Sequence, residues 1–118
     1  MENKNTQRHV RTMDLRDDPK LIEEYKKRHS EENHWKEIRD GIRAVGILEM
    51  EIYILGTRLV MIIDTPLGFD LDTALSRLAT LPRQQEWETY MSIFQECSAD
   101  ATSADKWQPM ERMFHLYD

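Results

Sequence analysis

The pattern of apolar and polar side chains predicts strands in four parts of the chain. The clearest is 49–54, where methionine and isoleucine occupy every second position and two glutamates and a tyrosine lie between them. A short turn at 55–58 leads into the mostly apolar segment 59–64, so we expect a hairpin. Two further strand-like segments, 8–15 and 110–116, lie towards the ends of the chain.

The segments between these strands have apolar residues three or four positions apart, which predicts helices. Asp18 can cap a first helix, with Pro19 in its first position, where the missing N–H costs nothing. A second stripe covers 35–45, and Gly46 is placed to end it. Helical spacing returns over 69–78 and 83–97, with a proline between the two.

The order strand, helix, strand, strand, helix, strand predicts an α+β, ferredoxin-like βαββαβ fold. Its four-stranded antiparallel sheet would carry the helices on one face. We expect a flexible tail at 1–7, one domain at 8–118, and a loop at 98–106 long enough to have a functional role. The helices would leave the second face of the sheet without a packing partner within the chain. We therefore expect a homodimer joined through that sheet face.

Charge and composition narrow the class of protein. The 118-residue chain has a net charge of -6 and no basic patch, which argues against nucleic-acid and anionic-membrane partners. Its longest apolar run, 59–63, is too short to span a bilayer. The single Cys97 cannot form an internal disulfide, and no Cys and His spacing indicates a metal site. With no apolar signal segment at the N-terminus, these features favour a cytoplasmic protein.

Tyr25 and His29 are the candidate catalytic residues. Four positions apart on a helix, they would lie on one face, close enough to act on one small molecule. Imidazole titrates near neutral pH and a phenol can donate or accept a proton, so the pair suits acid/base chemistry. The same spacing is common where such residues serve only packing and surface polarity.

Several motifs, in order, are similar to the L-rhamnose mutarotase family over about residues 9–117. They are Tyr-Lys-Lys-Arg-His at 25–29, Trp-Lys-Glu-Ile at 35–38, Gln-Glu-Trp-Glu-Thr-Tyr-Met at 85–91 and Met-Glu-Arg-Met-Phe-His-Leu at 110–116. The segments 14–19, 47–53 and 56–59 resemble the branch of that family assigned to L-fucose.

The resemblance implies a ferredoxin-like monomer that pairs into a dimeric α/β barrel. It also implies interconversion of the α and β anomers of a 6-deoxy sugar, an aldose 1-epimerase type of reaction, with no cofactor. By the same resemblance, His29 is the catalytic proton donor, Tyr25 contacts the substrate, and Trp87 contacts the sugar. An indole suits the apolar C–H face of a hexose.

Departures from the family pattern bear on which sugar is bound. The rhamnose enzymes have a tyrosine where this chain has Met50 and a second tryptophan where it has Glu86. Exchanging aromatic groups for a thioether and a carboxylate should change which hydroxyls are accepted, so we expect L-fucose, with L-rhamnose as the alternative. Trp35 is expected in the core or the pocket wall, and His34, in a polar run, is expected to be solvated.

Two other functions fit the same sequence. One is a different enzyme on the same barrel, such as a cofactor-independent monooxygenase, because one fold hosts many chemistries. The other is a non-catalytic sugar-binding or sensor module that kept the pocket. Substitution of His29 separates a sensor from a mutarotase, because only the mutarotase would lose anomer exchange.

Overall fold

The computed structural model describes residues 5–30, 34–98 and 101–117. The strands are β1 Thr6–Asp14, β2 Glu49–Leu55, β3 Arg58–Pro66 and β4 Gln108–Pro109. The helices are α1 Pro19–Arg28, α2 Lys36–Ala44, α3 Leu71–Leu78, α4 Gln84–Met91 and α5 Ser103–Lys106. The sheet order is β2-β3-β1-β4, and every adjacent pair is antiparallel. The predicted α+β fold with a four-stranded antiparallel sheet is confirmed.

Strand β3 shows why the sheet forms with one buried face. Leu59, Met61, Ile63 and Thr65 are each at most 3% exposed, while the residues between them are half-buried. This period of two is what a strand with one face against a core produces. The helices pack against that face, and the core lies between them and the sheet.

The ends of the helices follow the predicted signals. The Asp18 side chain accepts hydrogen bonds from the backbone N–H groups of Lys20 and Leu21, and Pro19 opens α1. Gly46 lies just beyond α2 with φ 101°, and a Cβ there would lie 2.9 Å from the Phe69 ring. Among the described helices, none is long and apolar enough to cross a membrane.

Three predicted elements differ from the structure. The last strand is Gln108–Pro109 and not 110–116. Pro109 has no N–H to donate to β1, and beyond it the described backbone adds one hydrogen bond to that strand, from Met110 N to Val10 O at 2.8 Å. The helix predicted over 83–97 ends at Met91. The loop predicted at 98–106 contains the short helix α5 in its described part.

The N-terminal boundary also differs in detail. Most of the predicted tail, residues 1–4, lies outside the described part of the chain, as do residues 31–33 and 99–100. Strand β1 already begins at Thr6, inside the range expected to be a tail.

The face of the sheet away from the helices carries an apolar band between two ion pairs. Val10 lies opposite Ile62 and Thr12 opposite Val60. Arg8 pairs with Asp64 at 2.9 Å at one end of this band, and Arg58 pairs with Asp14 at 3.2 Å at the other. On the neighbouring strand β2, Glu51 and Tyr53 are exposed on the same face.

Candidate active site

A cavity of about 500 Å³ lies between the helices and the core face of the sheet. Residues of α1, α2 and α4 line it together with residues of β2 and of the segment that contains α5. This volume is within the range of small-molecule sites in proteins. Of the residues predicted from the sequence, the cavity brings together Tyr25, His29, Met50 and Trp87.

His29 is held in one orientation by the end of α1. Its Nδ1 lies 2.8 Å from the backbone oxygen of Tyr25. A carbonyl oxygen can only accept, so Nδ1 carries the proton, and in a neutral imidazole Nε2 is left with a free lone pair. Burial lowers the pKa of His29, which favours that neutral form at physiological pH.

Tyr25 packs beside His29 with its hydroxyl protonated. The two ring centroids are 4.3 Å apart, and the phenol ring stacks parallel to Phe94. Gln95 Nε2 donates to the Tyr25 hydroxyl at 3.2 Å, so the hydroxyl oxygen accepts there. Burial raises the pKa of Tyr25 well above its ordinary value, so the phenol keeps its proton at neutral pH.

Trp87 forms part of the cavity wall next to the imidazoles. Its ring centroid lies 5.5 Å from that of His29 and 4.8 Å from that of His34, both in edge-on arrangements. Trp35 does not line the cavity. It packs edge-on against Trp87, with the ring centroids 5.1 Å apart, and the Arg83 guanidinium lies 4.0 Å above the Trp35 ring. Trp35 thus contacts a residue of the cavity wall and does not itself face the cavity.

The structure does not bring Glu86 to the cavity. Its side chain is exposed and pairs with Arg83 at 3.1 Å. The carboxylate that lines the cavity is Glu88, two positions along the same helix. Helical spacing could have shown this: Gln84, Glu88 and Met91 share one face, and that face is buried.

Glu88 is part of a buried polar cluster that joins α4 to α5. Glu88 Oε1 accepts from Gln84 Nε2 and from Ser103 Oγ, both at 2.9 Å. Lys106 Nζ lies 2.9 Å from Glu88 Oε2 and donates to the Glu88 backbone oxygen at 2.8 Å. The Lys106 side chain is fully buried and that of Glu88 is 10% exposed, so the two charges compensate each other away from water.

Besides Glu88, the cavity wall contains His34 and Arg39, which the sequence did not indicate as site residues. His34, expected to be solvated, is half-buried in the cavity wall with its ring centroid 5.7 Å from that of His29. Burial first, then the neighbouring His29 and Arg39, lowers the pKa of His34 to about 4. Arg39 is also half-buried and lines the cavity. Among the described residues, no group of three or more metal-ligating side chains is arranged to hold a metal ion.

Residues 8–116 match the L-rhamnose mutarotase family. The chain belongs to that family. Members of the L-rhamnose mutarotase family are isomerases that act on sugar anomers, so this is a chain of the sugar mutarotase class.

Two sequence relatives and one solved structure are similar to this chain. The L-fucose mutarotase of Xanthomonas campestris pv. campestris is 34% identical over 110 residues, 93% of this chain and 88% of the relative. A UPF0734 protein of Dictyostelium discoideum is 34% identical over 112 residues, 92% of this chain and 88% of the relative. The crystal structure of L-rhamnose mutarotase from Formosa agariphila superposes with a TM-score of 0.67 at 21% identity, covering 94% of this chain and 99% of that one.

Proposed function

We propose that the protein interconverts the α and β anomers of a 6-deoxy aldose, with L-fucose preferred over L-rhamnose. The observation that carries this proposal is the state of His29 in the cavity. Its imidazole is oriented and favours the neutral form, and its Nε2 has no hydrogen bond to a described residue, beside the protonated phenol of Tyr25. We further propose that the enzyme acts in the cytoplasm as a homodimer.

Ring opening needs one proton moved from the anomeric hydroxyl to the ring oxygen. His29 Nε2 takes the hydroxyl proton as the C1–O1 double bond forms and the C1–O5 bond breaks. Both oxygens are bonded to C1, so the imidazolium that results can deliver the same proton to O5. The Tyr25 hydroxyl donates a hydrogen bond that stabilises the negative charge developing on O5. After rotation about C1–C2, closure on the other face reverses each transfer.

Support for L-fucose comes from the sequence relative and from the cavity wall. The L-fucose mutarotase relative is 34% identical to this chain. Met50 lies in the cavity wall. The L-rhamnose mutarotase pattern that this chain resembles has a tyrosine at that position. A thioether offers no hydroxyl to a ligand, so the hydrogen bonds available to the sugar differ at that point.

The homodimer proposal is supported by the outer sheet face. The apolar band of Val10, Val60 and Ile62 faces away from the helices, between ion pairs that would fix its register. Two such faces packed together would form the dimeric α/β barrel.

The test is saturation-transfer proton NMR on equilibrated L-fucose and L-rhamnose. One anomeric proton is irradiated, and transfer to the other anomer is measured with and without protein. We expect faster transfer for L-fucose than for L-rhamnose with the wild type. The His29→Asn variant should lose at least about 100-fold of the exchange rate, because general acid–base catalysis contributes 10²–10⁴-fold.

The matched control is His9→Asn. His9 contacts Thr65 Oγ1 at 3.0 Å and does not line the cavity, so this variant should exchange at the wild-type rate. No saturation transfer between the anomers of either sugar at saturating protein would refute the proposed mutarotase function. Binding of sugar without exchange would favour the sensor module, and faster transfer for L-rhamnose would reverse the proposed preference.

A further inference from the structure

Arg39 is an arginine of the cavity wall that forms no ion pair with a described carboxylate. It is half-buried on α2 and lines the cavity, and among residues 5–30, 34–98 and 101–117 it has no hydrogen-bond or ion-pair partner. Other arginines of the molecule, such as Arg11 and Arg83, pair with carboxylates. A guanidinium has five N–H donors, so Arg39 offers a cavity ligand several hydrogen bonds that no described residue uses.

His34 supplies the complementary acceptor from the segment before α2. Its pKa of about 4 makes the imidazole neutral at physiological pH, so one ring nitrogen can accept a hydrogen bond. Its ring lies edge-on to Trp87 at 4.8 Å and 5.7 Å from His29, on the cavity wall that holds the acid/base pair. Arg39 depresses the pKa of both His34 and His29, so the guanidinium acts on both imidazoles.

A donor and an acceptor that line the same cavity match the chemistry of a sugar hydroxyl. The hydroxyl oxygen accepts from a guanidinium N–H while the hydroxyl hydrogen is donated to a neutral imidazole. The Trp87 indole beside them provides an apolar surface for the C–H face of the ring. An alcohol thus satisfies both groups, whereas a purely apolar ligand would leave them unpaired in the cavity.

We propose that His34 and Arg39 form a hydroxyl-binding subsite that determines which aldose the enzyme accepts. This inference rests on the proposed mutarotase function. It adds the residues that would determine substrate specificity. It consists of residues distinct from the acid/base pair, so its loss weakens binding of the preferred sugar more than it slows the chemical step.

The first experiment compares Arg39→Gln and His34→Leu with the wild type. Exchange kinetics are measured for L-fucose, for L-rhamnose and for each monodeoxy analogue of L-fucose. The KM of Arg39→Gln for the preferred sugar should rise about 10- to 100-fold, the effect of losing a hydrogen bond to a charged group, while kcat changes less than about threefold. The analogue that lacks the hydroxyl bound by Arg39 should show the same KM with both proteins.

Lys36→Gln is the matched control, since it removes one positive charge from the same helix. Lys36 is exposed, pairs with Asp40 at 2.7 Å, and does not line the cavity. It should leave KM unchanged with every sugar. The dispersion of the amide proton spectrum shows that each variant is folded before kinetics are compared.

A second readout is the pH profile of exchange. Around His29 lie Tyr25 through its backbone oxygen, His34, Arg39 and Glu88. Removing the guanidinium should move the inflection assigned to His29 to higher pH, because a nearby positive charge disfavours the imidazolium. The control variant should leave the inflection in place, so a merely structural role of Arg39 would not reproduce this shift.

The outcomes separate the subsite from the function. KM values within twofold of wild type for both Arg39→Gln and His34→Leu with every sugar would overturn the subsite while leaving the mutarotase intact. Absence of exchange by the wild type would instead overturn the proposed function, on which the subsite depends.

Discussion

The protonation state of one imidazole determines how the cavity can act. His29 is oriented by the Tyr25 backbone oxygen, and that contact alone would favour the imidazolium, because a charged Nδ1–H donates a stronger hydrogen bond than a neutral one. Burial acts against it and is the largest effect, and Arg39 adds to burial. The balance favours a neutral imidazole with a fixed tautomer, which is the state that the proposed mechanism requires to accept a proton from a hydroxyl.

We therefore expect exchange to continue into mildly acidic solution. The pKa of His29 is lowered from its ordinary value of 6.5, so the active neutral form persists as the pH falls below that value. The rate should rise with pH through an inflection below 6.5 and then level off. The measurement is the protein-dependent exchange rate of L-fucose as a function of pH, with the spontaneous rate subtracted. An inflection at or above 6.5 would contradict this assignment.

At the scale of elements, α5 is attached to the cavity wall by a buried ion pair. Lys106 on α5 meets the carboxylate of Glu88 on α4, and Ser103 bonds to the same carboxylate. Since α5 covers only four residues, its position depends on these contacts more than on its own helical hydrogen bonds. The cluster thus fixes where Ser103 and Trp107 border the cavity.

Lys106→Met should destabilise the protein by about 3–5 kcal/mol, because Glu88 would be left as a buried charge without compensation. Urea unfolding followed by circular dichroism measures the change. The double variant Lys106→Met with Glu88→Gln should recover part of the loss, since it removes the uncompensated charge. Lys36→Met, at an exposed pair, should stay within about 0.5 kcal/mol of wild type. Equal effects of the two lysine variants would argue against the buried pair.

Local patterns predicted the elements well and the cavity only in part. The mostly apolar run of β3 indicated a strand from the chain alone, whereas the alternation of burial along it appears only in the structure. The segment 110–116 has a strand-like composition, but beyond Met110 it pairs with no strand in the described part of the chain. His34 follows a polar run, and only the approach of Trp87 from α4, far along the chain, places it in the cavity wall.

The phase of α4 accounts for a further difference. Resemblance pointed to Glu86, whereas the helix turns Glu88 inward and leaves Glu86 beside Arg83 at the surface. Arg83, which precedes α4, has φ 65°, a conformation that an L-residue rarely adopts. A sequence pattern does not predict a positive φ at such a residue. The residue nevertheless sets where α4 begins and therefore which side chains of the helix face the cavity.

At the scale of the whole molecule, the outer sheet face should decide the assembly. Val60→Lys places a charge in the middle of the apolar band, so the proposed homodimer should dissociate into monomers. Light scattering coupled to size-exclusion chromatography gives the mass. Ile93→Lys is the control, because Ile93 is 53% exposed and lies outside the sheet, so it should keep the wild-type mass. A wild type that is monomeric at micromolar concentration would rule out the dimer.

The edge-on contact of Trp87 with two imidazoles gives the protein an intrinsic optical signal. Protonated imidazole quenches indole fluorescence at contact distance, and Trp87 lies 5.5 Å from His29 and 4.8 Å from His34. We expect Trp87 emission to fall as these imidazoles gain protons. Proton uptake in the cavity should thus be measurable in the unlabelled protein, without a coupled assay.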